Sequence, residues 1–138
     1  MTKLNPYLSF KDNAREAMEF YKSVFGGNLV LNTFKDQGMV QDPNDADLIM
    51  HSQLDTENGL TLMGSDTPAH MGGQPGANGT VSLSGEDEAE LKGYWDKLAI
   101  GGTIDQPLVQ APWGDSFGML TDKFGIGWMV NIAGKKAE

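Results

Sequence analysis

Two stretches of the sequence share a pattern of apolar residues that indicates the fold. Residues 14–27 read AREAMEFYKSVFGG, and residues 88–102 read EAELKGYWDKLAIGG. In each stretch the apolar residues recur at the spacing of one helix face, and a Gly-Gly pair follows where a helix would end. The spacing predicts helices over 14–25 and 86–98.

Short β-rich segments surround each predicted helix. Working outward, the pattern predicts strands at 6–10, 29–34, 48–54 and 60–63 around the first helix, and at 80–84, 103–109, 116–121 and 126–132 around the second. Asp12 or Asn13 is the predicted N-cap of the first helix, with Glu16 at capping-box distance from Asn13. Asn58-Gly59 predicts a hairpin turn. The predicted order is β-α-β-β-β, a linker, and β-α-β-β-β again.

The two halves also match in sequence. A shift of 74 residues places Phe20-Tyr21 on Tyr94-Trp95, and the segment Gly59–Met63 resembles Gly125–Met129 as a Gly-x-x-x-Met pattern. Chance similarity of two amphipathic helices is the alternative explanation. A true repeat would mean two supersecondary units that bury their apolar faces together.

Composition narrows the class of protein. Of the 138 residues, 39% are hydrophobic and 21% charged, which is typical of a globular domain. No apolar run is long enough to predict a membrane span, and residues 1–10 lack the pattern of a signal peptide. The sequence has no cysteine, which excludes disulfides and thiolate chemistry and favours a cytoplasmic setting.

The charge is strongly acidic and unevenly distributed. The formal net charge is −9, which disfavours nucleic acid and anionic membranes as partners. From Asp36 to Leu91 there are eleven acidic residues and no Lys or Arg. These acids indicate either solvated loops and a helix start, or a negative rim, including Asp42–Asp47, that attracts a cationic ligand.

Several short motifs, in this order and spacing, resemble one family. They are Pro6-Tyr-Leu-x-Phe10, Ala14-x-Glu-Ala17, Phe20-Tyr21, Phe25-Gly26, His51 before an Asn-Gly turn, Leu62-Met63-Gly-Ser-Asp66, Trp113-Gly114 and Asp122-x-Phe-Gly125-x-x-Trp128. Together they resemble the PhnB-like branch of the vicinal oxygen chelate superfamily, which includes glyoxalase I, extradiol dioxygenases and bleomycin-resistance proteins. The resemblance implies an α+β fold whose paired β-α-β-β-β modules form a cupped, eight-stranded mixed sheet. It also implies one domain over 1–138, with modules at 4–66 and 80–134 and a linker at 67–79.

The superfamily's usual metal site is not supported by the residues. Carried over by motif, the four ligand positions fall on Pro6, Met63, Thr80 and Met129. Proline cannot ligate, and thioether and hydroxyl groups are weak ligands for a hard divalent ion. We therefore predict no metal ligands and no cofactor, although a divalent metal is not excluded.

The candidate site consists of strand residues that would face the cup. His51 and Gln53 share a strand face by alternation, so His51 is either a general base or ligand-binding group, or a hydrogen-bonded structural histidine. The predicted ligand-binding residues are Tyr7, His51, Gln53, Met63, Trp113, Phe117, Met119 and Met129. Core packing is the alternative for the aromatic and methionine side chains, and Trp95 and Trp128 are assigned to the core.

Residues 64–79 contain five glycines and two prolines and predict a long linker or a lid. His70 within it is either exposed or part of the lid. Ser65-Asp66 is either a turn or a partner for His51.

Two classes of function follow. The first is a small-molecule-binding protein that lacks the standard metal, and the alternative is a lyase, isomerase or dioxygenase of the superfamily with an altered site built on His51. The family resemblance also implies a homodimer.

Overall fold

The computed structural model describes residues 4–40, 42–57, 59–68 and 79–134. They divide between two compact units, within Met1–Asn78 and Gly79–Glu138. The first unit contains β1 (Tyr7–Phe10), α1 (Ala14–Phe25), β2 (Asn28–Thr33), a 3₁₀ turn (Pro43–Asp45), β3 (Ile49–Asp55) and β4 (Thr61–Asp66). The second contains β5 (Thr80–Gly85), α2 (Glu88–Leu98), β6 (Thr103–Gln110), β7 (Ser116–Thr121) and β8 (Gly127–Ile132).

The two sheets have the same topology. In the described residues each sheet has four strands, ordered β1-β4-β3-β2 and β5-β8-β7-β6. The first strand of each unit pairs in parallel with the last, and the other pairs are antiparallel. The chain is therefore α+β and consists of paired β-α-β-β-β modules, as the sequence predicted.

One helix covers one face of each sheet. In the first unit α1 packs against β2, β3 and β4, and its apolar stripe is buried, including Met18 and Tyr21. In the second unit α2 packs against β5 and β8, and Trp95 and Trp128 are both buried, which confirms their assignment to the core. The other face of each sheet carries partly exposed side chains.

The Gly-Gly pairs have the same structural role in the two units. A Cβ at Gly27 would lie 2.0 Å from the carbonyl oxygen of Asp55, and one at Gly102 would lie 2.3 Å from that of Thr121. Each glycine thus allows the chain leaving the helix to pass close to the backbone at the end of a neighbouring strand, β3 in the first unit and β7 in the second. The turns that follow these two strands also match, because Thr56 N–H donates to Leu60 O and Asp122 N–H donates to Ile126 O, both at 2.9 Å.

The start of α1 is capped differently from the prediction. The side chain of Asn13 makes no capping hydrogen bond. Instead, the N–H of Ala14 donates to Oδ1 of Asp66 at 2.9 Å, so the cap comes from the end of β4. The predicted Asn13–Glu16 capping box is wrong, because Asn13 has φ −129° and ψ 19° instead of the extended conformation from which a cap side chain reaches the first turn.

The glycine-rich segment begins later than predicted. Gly64, Ser65 and Asp66 belong to β4 rather than to a linker. A Cβ at Gly64 would approach Phe10 and Met18 within 3.1 and 3.2 Å, so this glycine serves close packing. Residues 69–78, which include His70 and most of the predicted lid at 64–79, lie outside the described residues.

Within the described residues no helix has the length and apolar character needed to cross a membrane.

Candidate functional site

The first sheet leaves a mixed polar and apolar surface on the side opposite α1. We call it the N-terminal open face. On β1, β3 and β4 its members are followed or preceded by buried residues, and on β2 they alternate with partly buried leucines. They are Tyr7, Ser9, Val30, Asn32, His51, Gln53, Met63 and Ser65.

Four of these residues form one row across the sheet. Tyr7 pairs with Met63, Met63 with Gln53, and Gln53 with Val30. Residues directly opposite each other on neighbouring strands share a face, so their side chains are neighbours. The predicted site residues Tyr7, Gln53 and Met63 are thereby brought together.

His51 lies next to this row. It pairs with Asn32 on β2, and its ring centroid lies 6.1 Å from that of Tyr7, with the two planes tilted by 33°. Tyr7 is 50% exposed and His51 is partly exposed. The imidazole and the phenol therefore border the same accessible surface.

Asp55 fixes the position of Gln53, a role that the sequence analysis missed. Gln53 Nε2 lies 3.1 Å from both carboxylate oxygens of Asp55, and Thr61 Oγ1 donates to Asp55 Oδ1 at 3.1 Å. Because these hydrogen bonds use the amide nitrogen of Gln53, its side-chain carbonyl oxygen can accept a hydrogen bond from a ligand. The sequence contained one indication of this contact: Gln53 and Asp55 are two positions apart on a predicted strand, and this spacing places both side chains on one face.

Asp66 does not belong to this surface. It is buried, with Oδ1 accepting from Ala14 N–H and Oδ2 accepting from Ile49 N–H, each at 2.9 Å. The turn that was predicted for Ser65-Asp66 is a strand end, and the alternative pairing with His51 is not made because the Asp66 carboxylate faces the core side. Asp66 instead joins the start of α1 to the start of β3.

The second sheet brings another part of the predicted set together. Met119 pairs with Met129, and Met129 pairs with Ser82. Phe117 pairs with Asn131 in the next row, and all these side chains except the exposed Ser82 are partly exposed. Trp113 lies apart from these rows, in the turn between β6 and β7, and is 75% exposed.

Neither row offers a strong set of metal ligands. The register places Tyr7 opposite Met63 and Ser82 opposite Met129, whereas Pro6 precedes β1 and Thr80 pairs with Gly127. Two thioethers, a phenol and an aliphatic hydroxyl do not suit a divalent ion that prefers imidazole or carboxylate. Across the described ranges, no three His, Asp or Glu side chains form a group that could hold a metal ion.

Several of the acidic residues in the middle of the chain serve local structure. Asp42 accepts a hydrogen bond from Asn44 N–H, and Asp87 caps α2 by accepting from Glu90 N–H. Asp36 accepts from Thr33 N–H at 3.0 Å. That backbone hydrogen bond, followed by one with the Thr33 side chain, lowers the pKa of Asp36 below its ordinary value.

Comparison with known proteins agrees with this architecture. Residues 3–130 match the model of the Glyoxalase/Bleomycin resistance protein/Dioxygenase superfamily. The chain belongs to that superfamily. It is 29% identical over 143 residues to protein YjdN of Escherichia coli (strain K12), with 94% of each chain covered.

Two solved structures share both the fold and much of the sequence. Protein PA1353 from Pseudomonas aeruginosa is 36% identical, with a TM-score of 0.78, and the match covers 96% of this chain and 98% of that one. The PhnB protein from Bacillus cereus is 30% identical, with a TM-score of 0.73, over 96% of this chain and 100% of that one. The resemblance to the PhnB-like branch is thereby confirmed.

Proposed function

We propose that the protein binds a small organic molecule on the N-terminal open face and that this binding uses no resident metal ion. The observation that supports the proposal is the grouping of Tyr7, Gln53 and Met63 in one row, with His51 beside Tyr7. A sheet face without a helix buries such side chains only against a ligand or a partner.

The chemistry of this face suits a ligand with both apolar and polar parts. The Tyr7 ring and the Met63 thioether offer polarizable apolar contact. The Gln53 amide, held in position by Asp55, and the His51 imidazole are available for hydrogen bonds to a ligand. Ligand sites in proteins typically combine an apolar lining with a few positioned polar groups of this kind.

The test is a thermal-shift screen of small organic molecules, followed by titration of the best compound. His51→Ala should weaken its binding about two- to tenfold, because one hydrogen bond is lost, while the melting temperature without ligand changes little. Gln37→Ala, in the exposed β2–β3 loop, is the control and should bind like the wild type. If His51→Ala lowers stability but its folded fraction binds normally, His51 is a structural residue and the proposed site is wrong.

The second candidate function is an altered enzyme of the superfamily that uses His51 as a general base. The observation that favours it is the approach of the His51 and Tyr7 rings, because an accessible imidazole beside a phenol can accept a proton from a bound substrate. Metal analysis of protein purified without chelator separates the candidates. Stoichiometric Zn, Ni, Mn or Fe would favour the enzyme, and its absence would favour simple binding.

A further inference from the structure

A pocket opens beside the N-terminal open face, at the end where β1 and β4 finish. Its volume is about 330 Å³, at the small end of the range for ligand sites. Apolar side chains form most of its wall, namely Tyr7, Phe34, Met39 and Met50, and Ser65, Asp66 and Thr67 complete the lining. Tyr7 belongs to both the pocket and the open face.

A β-bulge creates this pocket. The register of β2 and β3 pairs Asn32 with His51 and then Thr33 with Ile49, which leaves Met50 as an extra residue. As a result Met50 and His51 are both only partly buried, although they stand between the buried Ile49 and Ser52. Bulges of this kind redirect side chains and are frequent beside binding sites.

Hydrogen bonds donated by backbone N–H groups hold the bulge and the opposite wall of the pocket in place. The Ile49 N–H donates to Asp66 Oδ2 at 2.9 Å, next to the bulge. The Phe34 N–H donates to Leu48 O, and the Met39 N–H donates to Phe34 O, both at 3.0 Å. The pocket is therefore formed before any ligand arrives, which reduces the entropic cost of binding.

The lining defines the class of group that fits. Two thioethers and two aromatic rings favour an aromatic ring over a saturated one, because sulfur–aromatic and ring–ring contacts add to the hydrophobic effect. Among the described residues that line the pocket, Asp66 alone is charged, and both of its carboxylate oxygens already accept backbone N–H groups. The lining therefore offers no cation to pair with an anionic ligand, and the occupied carboxylate of Asp66 favours an uncharged group.

We propose that this pocket takes the uncharged aromatic ring of a ligand whose polar substituent reaches past Tyr7 to His51. The proposal rests on the proposed function and specifies its ligand class as a small aromatic compound with one hydrogen-bonding substituent.

The test uses the full chain labelled with ¹³C at the methionine methyl groups, titrated with benzyl alcohol and, separately, with cyclohexylmethanol. Benzyl alcohol should shift the Met39 and Met50 signals in a saturable way, because the ring current of a bound ring acts on nearby methyl groups. Cyclohexylmethanol should bind about two- to tenfold more weakly. The buried Met18 is the internal reference and should not shift.

Site variants complete the experiment. Met39→Ala, at a 57% exposed position, should weaken binding of benzyl alcohol about two- to tenfold without loss of folding. Leu60→Ala, at a 45% exposed position in the β3–β4 hairpin, is the matched control and should leave binding unchanged.

Other outcomes would overturn the proposal in distinguishable ways. A saturable shift at Met63 without one at Met39 and Met50 would refute the pocket and leave binding on the open face intact. Shifts at Met39 and Met50 with none at Met63 would support the pocket but contradict the open-face site. Equal responses of Met18, Met119 and Met129, or no response of any methyl group, would refute the aromatic subsite.

Discussion

At Asp66 one carboxylate accepts hydrogen bonds from two backbone amides that belong to different elements. Ala14 begins α1 and Ile49 begins β3, and each N–H lies 2.9 Å from its own carboxylate oxygen. An asparagine has only one acceptor oxygen and would turn its NH₂ group toward the other backbone N–H. The side chain therefore needs to be a carboxylate to serve both elements.

Asp66→Asn should accordingly lower the free energy of unfolding by about 1–3 kcal/mol, because one buried N–H loses its acceptor. Urea unfolding followed by circular dichroism measures the change. Asp47→Asn, at an exposed position in the β2–β3 loop, is the control and should change stability by less than about 0.5 kcal/mol. Equal stability of Asp66→Asn and the wild type would contradict the bridging role.

Asp36 gives a pH-dependent prediction at the same scale. Its pKa in the folded state is lowered, chiefly by the hydrogen bond from Thr33 N–H. A carboxylate with a depressed folded-state pKa stabilises the fold above its unfolded pKa of about 3.9, and this contribution disappears as the pH falls through the lower folded-state pKa.

Carboxyl ¹³C NMR should show that the Asp36 midpoint in the folded chain lies below that of the same residue in urea. Thr33→Val should move the midpoint upward, because it removes the side-chain hydrogen bond and keeps the backbone one. Identical midpoints in the folded and unfolded chains would contradict the assignment.

Among the secondary-structure elements, one glycine in each unit lets the chain leaving the helix pass close to the end of a neighbouring strand. Gly27→Ala and Gly102→Ala should each destabilise the protein by about 1–3 kcal/mol or more, because the new Cβ would overlap backbone oxygens at 2.0 and 2.3 Å. Gly93→Ala is the matched control inside α2, where a Cβ meets no heavy atom within 4 Å. It should stabilise by about 0.5–1 kcal/mol. Thermal unfolding of the three variants measures these changes. Destabilisation by Gly93→Ala alone would contradict the proposed role of Gly27 and Gly102.

The sequence predicted the strands and helices of both units to within three residues. This was possible because helical periodicity and the Gly-Gly pairs are local signals that the tertiary structure does not override. The end of β4 was missed because Gly64 looked like the start of a glycine-rich linker, whereas it is a glycine for packing against Phe10 and Met18. The true cap of α1 could not be read locally, because Asp66 lies 52 residues away.

The candidate site was predictable in part. Strand alternation correctly placed His51 and Gln53 on one face, and the structure brings the predicted residues Tyr7 and Met63 next to them. The position of Met50 was not predictable, because simple alternation points it away from the His51 side and only the bulge changes this. Whether any of these residues binds a ligand stays a prediction.

For the whole molecule, the apolar side chains exposed on the two sheets predict an oligomer. Large apolar side chains remain exposed on the sheets, including Val30 at 47% and Val109 at 55%. Surfaces of this kind are commonly covered by a second copy, and two-fold pairing is the most frequent arrangement. We expect a homodimer of about 30 kDa, twice the 14.9 kDa of one chain. Analytical ultracentrifugation at micromolar concentration tests this, and a species of one chain mass alone would contradict it.

Thermal unfolding of EDTA-treated protein, with and without the best compound of the ligand screen, shows whether the protein binds its ligand without a resident metal ion. Binding without a resident metal predicts that EDTA leaves the melting temperature unchanged. It also predicts that the compound still stabilises the fold, by about 2.7 kcal/mol at a hundredfold excess over Kd, and that His51→Ala diminishes this gain. A drop of several degrees on EDTA treatment, or a ligand effect that returns only when Zn, Ni, Mn or Fe is added, would contradict the account.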